Sequence, residues 1–150
     1  MDHLRHDSPG KWAKHYHLAS RSFMEAVLRP YGLGLSQWYV MYHLANEGPI
    51  AQRSLPGMLQ LEKPTLSEAV GALVRKGLVD QSTDPSDLRQ RILTITPAGL
   101  SLWKDLPDPI EMILAISFAG FDESELATVV RVLRTATQRL NDNLPEGSKS

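Results

Sequence analysis

The 150-residue chain contains no cysteine. That excludes disulfide staples, thiolate nucleophiles and sulfur-ligated zinc, and it is compatible with a reducing cytosol. Aromatic residues supply only 7% of the chain. No apolar run approaches the ~18 residues of a membrane span, and the opening residues Met1-Asp2-His3-Leu4-Arg5-His6-Asp7 are polar. Neither a signal peptide nor a membrane partner is therefore expected, and the expected location is cytoplasmic. Charge of one sign is missing too: 16 Lys and Arg face 17 Asp and Glu, for a net charge of −1. Contact with nucleic acid would have to come from local placement of cations, not from bulk basicity. There is no glycine-rich phosphate loop, no nucleophile elbow and no convergent His–acid pair, so neither an enzyme nor a cofactor is expected.

What is present is punctuation. Pro9 suits a first turn, and Trp12, Tyr16, Ala19, Phe23, Ala26 and Val27 recur at helical spacing, predicting a helix over 9–29 that Pro30 and Gly32 end. Ser36 is a cap for a helix over 37–46, closed by Gly48-Pro49. Ser54 and Pro56 open a short segment over 54–60. A break at Leu61-Glu62-Lys63 leads into a helix from Pro64 to Lys76, with Leu66, Val70, Leu73 and Val74 as its buried stripe and Gly77 as its stop. The period then changes. Leu78-Val79 and Ile92-Leu93-Thr94-Ile95 flank a polar stretch at 82–90, which predicts a two-stranded hairpin with a long loop. Thr96-Pro97 opens a helix expected to reach Phe118, bent at Pro107 and Pro109. Asp122 and Glu125 form a capping-box pattern for a last helix over 123–142, whose stripe is Leu126, Val130, Leu133, Thr137 and Leu140.

Two helices joined by a tight break, the second followed at once by a hairpin, describe a winged helix-turn-helix. A helix of a dozen residues fits the major groove, and its N-terminal end offers free N–H groups and partial positive charge to phosphates and base edges. A hairpin beside it can carry an arginine into the narrower groove, where the potential is most negative. Lys63, Pro64, Thr65, Ser67 and Glu68 stand at the leading end of the second helix, and Arg75 closes it. The hairpin carries Asp84, Asp87, Arg89 and Arg91. An acidic metal site at Asp84-Pro85-Ser86-Asp87 is the competing reading, but it lacks the alternating oxygen ligands and central glycine of a calcium loop.

The order of these parts resembles the MarR family of bacterial transcription regulators. The resemblance covers nearly the whole chain and is most specific at KPTLSEAVGALVRKGLV (63–79) and DPSDLRQRILTITPAGL (84–100). Asp84, Pro85, Asp87, Arg89, Thr96 and Gly99 match the family's wing, and GLSQWYVMYHLA (34–45) looks like its second helix. Ala72 and Gln81 stand where the family often has basic residues. The resemblance implies a mainly α fold with a small β-hairpin wing. A winged domain at 33–97 would follow a flexible arm at 1–8, and helices at 9–32 and 98–144 would form the dimerisation region before a disordered tail at 145–150. By the family pattern Asp87 pairs with an arginine and orders the wing, while Arg89 points at the minor groove, with Arg91 as second candidate.

A single helix-turn-helix reads few base pairs, so the expected form is a homodimer on a palindromic operator of double-stranded DNA, with half-sites about 34 Å apart. The first and last helices are apolar beyond what a small winged domain can bury, which supports a two-fold interface. The family commonly binds a small aromatic acid or related metabolite, such as a thioester, that releases DNA. The resemblance therefore implies a repressor with an effector site. His15, His17 and Arg21 are candidates to meet an anionic group, and Trp38, Tyr39 and Tyr42 to stack on a ring. The competing reading of Trp38 and Tyr42, four apart on one helical face, is plain core. Two other functions compete with this one: a winged helix that contacts only proteins, and a metal-responsive regulator. His3, His6, His15, His17 and His43 raise the metal reading, but His15 and His17 are two apart and diverge on a helix, so no metal site is expected.

Overall fold

The computed structural model describes residues 5–147, so the expectations for residues 1–4 and 148–150 at the two ends lie outside it. Among the described residues the helices are α1 (Pro9–Leu28), α2 (Leu35–Glu47), α3 (Leu55–Leu59), α4 (Lys63–Arg75), α5 (Pro97–Asp105), α6 (Pro109–Ser117) and α7 (Glu123–Asp142). The strands are β1 (Ile50–Ala51), β2 (Val79–Asp84) and β3 (Asp87–Ile95). The chain divides into two compact units, one ending at Ile113 and the other beginning at Leu114, so the boundary falls inside α6. No helix among the described residues is long and apolar enough to cross a membrane.

Local chemistry explains most of the boundaries. Ser8 caps α1 by accepting the Lys11 N–H at 3.1 Å, with Pro9 in the first turn where its missing N–H costs nothing. The second helix begins earlier than the Ser36 cap implied. Gly34 holds the extended cap position, and Leu35 enters the helix and packs against the core. Helix α4 begins at Lys63, and its inner face is Leu66, Ala69, Val70 and Leu73. Val74, expected in that stripe, is exposed, and Ala69 takes the inner position.

The single bent helix expected between Pro97 and Phe118 is two helices. Leu106 stands in extended backbone (ψ 137°), as the residue before a proline prefers, and the helix ends there. A new helix starts because Asp108 Oδ1 accepts the N–H groups of Ile110 and Glu111 at 2.9 and 3.1 Å. The expected capping box at α7 is present: Asp122 Oδ1 accepts the Glu125 N–H at 2.8 Å, and the Glu125 carboxylate accepts the Asp122 N–H at 3.3 Å.

The sheet has three antiparallel strands in the order β1-β3-β2, one more than the hairpin expected. The added strand is short and pairs Ile50 with Leu93 and Ala51 with Ile92. Nor is the wing a long loop. Strands β2 and β3 run on to a two-residue turn, Pro85-Ser86. Their register runs from Val79↔Ile95 to Thr83↔Arg91 and then jumps to Asp84↔Asp87. That jump leaves Leu88, Arg89 and Gln90 without register partners, a bulge that turns them away from the ladder.

The core belongs to the first unit. Leu28, Trp38, Val40, Met41, Leu44, Leu55, Leu66, Val70, Leu73, Val79 and Leu93 pack together, so α1, α2, α3, α4 and the inner end of the sheet share one interior. The wing's base is locked to this interior by hydrogen bonds. Thr96 Oγ1 donates to the Gly77 carbonyl at 2.7 Å and accepts the Gly99 N–H at 3.0 Å. Gly99 lies so close to β2 that an added Cβ would sit 2.2 Å from the Leu78 carbonyl oxygen and 2.7 Å from Ile95 Cγ1. The Gly99→Ala variant is therefore expected to lose stability by about 1–3 kcal/mol through overpacking. Urea unfolding measures this, and a midpoint equal to the parent's would show that the contact relaxes freely.

Candidate nucleic-acid interface

Between the leading end of α4 and the wing lies a groove of about 490 Å³, lined by Gln52, Arg53, Pro56, Lys63, Leu66, Ser67, Asp87, Arg89, Gln90 and Arg91. Four of these residues are cations and one is a carboxylate. Among the described residues the ion pairs are Arg21–Glu25 and His43–Glu47, and none of the groove cations is in either. Free charge in a concave site attracts a polyanion more strongly than the same charge spread over a sphere. The near-neutral composition therefore conceals a local excess of positive charge.

The wing's carboxylates are spent on its own shape. Asp84 Oδ1 accepts the Ser86 hydroxyl at 2.7 Å and the Ser86 N–H at 2.9 Å. These two bonds, helped by the positive charge of Arg53, hold the Asp84 carboxyl below the usual aspartate range. Asp87 does not reach a guanidinium as expected. Its Oδ1 accepts the Arg89 backbone N–H at 3.1 Å, which orders the strand while leaving the Arg89 side chain free. The carboxylates of Asp84 and Asp87 are thus both engaged in hydrogen bonds within the turn and the strand that follows it. Among the described residues no group of His, Asp or Glu is placed to hold a metal ion.

The expected contact residues divide between two sides of α4. Lys63 and Ser67 face the wing groove with Arg89 and Arg91. Thr65, Glu68 and Arg75 line a second hollow of about 350 Å³, against Arg21 and Glu25 of α1 and the start of α2. Pro64 is exposed at the first turn. The Arg75 head folds back over Gly71 on the same helix. Lys76, which follows α4, is occupied elsewhere: its Nζ donates to the Gly32 carbonyl at 2.5 Å and to Gln37 Oε1 at 2.7 Å. Arg53 and Gln90 were not expected in the groove. Nothing in a two-residue strand marks it in a sequence, and without β1 nothing brings Arg53 beside the wing.

The aromatic candidates also separate. Trp38 is 2% exposed, stacked on Tyr42 at 5.4 Å and against Trp103 at 5.5 Å, so it is core. Tyr42 covers that cluster from outside, and His15 is exposed on α1 against Trp12. His17, Arg21 and Tyr39 do come together. They line a cavity of about 440 Å³ with Ser20, Met24, Leu35, Ser36 and Leu59–Leu61. The Tyr39 hydroxyl lies 3.8 Å from Met24 Sδ, and burial pushes its pKa up, so it stays a neutral donor.

Residues 31–90, the segment that builds α2, α4 and the wing, match the model of the MarR family. Over this segment, two fifths of its length, the chain is similar to that family. The HTH-type transcriptional regulator YwoH of Bacillus subtilis is 35% identical over 79 residues, which are 53% of this chain and 57% of that protein. The chain spans a little over half the length of the first curated relatives it matches. The HTH-type transcriptional repressor IacR of Pseudomonas putida is 24% identical over 91% of this chain and 81% of its own. Among solved structures, the PcaV transcriptional regulator of Streptomyces coelicolor has a TM-score of 0.74 at 25% identity, covering 89% of this chain and 98% of that one. PcaV is also known in complex with its natural ligand. BpsR of Bordetella bronchiseptica, whose DNA binding is regulated by 6-hydroxynicotinic acid, has a TM-score of 0.74 at 21% identity, covering 85% of this chain and 91% of that chain.

Proposed function

We propose that the protein is a DNA-binding transcriptional regulator that works as a symmetric pair and releases its operator when a small aromatic acid binds. The observation that carries this reading is the groove between α4 and the wing, whose four cations have no ion-pair partner among the described residues. Pro64, Thr65, Ser67 and Glu68 meet base edges in the major groove. Lys63 and Arg91 meet phosphates, and Arg89, raised by the bulge, enters the minor groove alongside. Arg75 lies at the far end of α4, where it reaches the backbone of the adjoining turn.

Pairing follows from what the terminal helices leave uncovered. On α1, Trp12 is 57% exposed and Leu18 48%. On α7 no residue is buried, and Val129, Val130, Val132, Leu133 and Leu140 all face outward. Apolar surface of this kind on terminal helices is what a second copy covers in an isologous dimer. The domain roles follow: 33–97 binds DNA, and 9–32 with 98–144 holds the pair together.

The cavity of His17, Arg21 and Tyr39 is sized for one ring with a carboxylate. Arg21 supplies the charge, and it also lines the hollow under Thr65 and Glu68, so an anion that draws it inward is felt at α4. An effector of this kind releases DNA only by preferring the form whose half-sites are misplaced. The 6-hydroxynicotinic acid that regulates BpsR makes aromatic carboxylates the first compounds to try.

Gel shift of the protein on its own promoter region, at low and high salt, tests the DNA reading. The expected result is a specific complex whose affinity falls steeply with salt, weakened about 10-fold or more in Arg89→Ala. A protein-interaction module would give no specific shift, and an Arg89→Ala variant binding like the parent would remove the wing from the interface. For the cavity, thermal-shift measurements with hydroxybenzoates and nicotinates are expected to raise the melting point of the parent but not of Arg21→Ala. Equal shifts in both proteins would move the effector elsewhere.

A further inference from the structure

We infer that Arg53, on the edge of the sheet and not on the wing or on α4, is a DNA-phosphate contact that closes the groove from its third side. The inference rests on the DNA-binding reading and adds a residue to it.

Three observations place Arg53 in that role. It lines the groove together with Lys63 of α4 and with Arg89 and Arg91 of β3. The pairing of Ala51 with Ile92 sets the chain of β1 directly against the strand that bears Arg91, and the turn Gln52–Ser54 then directs the next residues along the groove. The adjacent Gln52 is tied across the sheet: Gln81 Nε2 donates to its Oε1 at 2.6 Å, so the turn is braced against β2 as well as β3. A guanidinium on a braced turn loses little freedom when it meets a phosphate, and its planar fork suits a phosphate better than an ammonium does.

The charges around Arg53 are consistent with this. It has no ion-pair partner among the described residues. Its positive charge is nonetheless felt at Asp84, on the far end of β2, where it favours the ionised carboxylate. Asp84 is already committed to Ser86 through two hydrogen bonds, so it leaves the Arg53 head available. Gln81 is neutral and holds the turn through Gln52. The positive charge lies on the opposite edge of the sheet, beyond β3, on Arg53.

A phosphate contact is independent of base sequence, so the probe is a fluorescent mixed-sequence duplex of about 20 base pairs, two DNA turns. Binding is read by anisotropy between about 50 and 200 mM salt. Each phosphate neutralised contributes about 0.9 to the slope of log affinity against log salt. Arg53→Gln is expected to reduce the slope by about that amount per subunit and to bind more weakly at low salt, while Arg53→Lys keeps the parent's slope. Melting temperatures of the variants confirm that the turn still folds. Arg53→Gln with the parent's slope and affinity would overturn the inference while leaving the DNA reading intact. A parent that fails to bind the duplex at the lowest salt would overturn both.

Discussion

The groove between α4 and the wing hangs from Leu93. This residue is fully buried among Leu66, Val70, Leu73 and Val79, near the inner end of a nine-residue strand. The same strand, two to six residues earlier, carries Arg91, Gln90, Arg89, Leu88 and Asp87 into solvent. A two-stranded ribbon is marginal in water by itself. Here it is held because Leu93 of β3 is core and Ile95 packs against that core, while the rest of the strand extends from it. The side chains of the wing are therefore placed by hydrophobic burial some residues away, with the carboxylates of Asp84 and Asp87 shaping only the last turn.

The same burial sets the angle between wing and helix. Leu66 and Val70 of α4 pack in the same interior as Leu93, so the leading end of α4 and the outer half of β3 open from one fixed base. Gly99 and Thr96 close that base from behind, at contact distances that tolerate no added carbon. A preorganised groove loses little freedom on binding, which is how a chain with net charge −1 can still present a cationic face.

Much of this was legible in the residues. Thr96-Pro97, Gly77 and the Asp122/Glu125 box carry their structure in side-chain chemistry a few residues long, and each gives the element expected. The two prolines at 107 and 109 were read as a bend because proline in an apolar helical pattern suggests a kink. Asp108 between them is itself a cap, and capping separates the helices. The strand at Ile50 could not be read at all, since two residues have no period, and with it went the place of Arg53. Burial was the other blind spot. Trp38, Tyr39 and Tyr42 look alike in sequence, yet Trp38 is enclosed by the rings of Tyr39, Tyr42 and Trp103, while Tyr39 also opens onto a cavity. Only the packing of α5, which brings Trp103 against Trp38, tells them apart.

The central claim is that one face, built by α4, the wing and the edge turn, takes the duplex. Backbone amide NMR of the labelled protein on addition of duplex DNA measures that most directly. The account predicts shifts concentrated at Arg53, at Lys63 to Glu68 and at Asp87 to Arg91, with the exposed apolar face of α7 unmoved. Shifts centred on α1 or α7, with the groove silent, would contradict it.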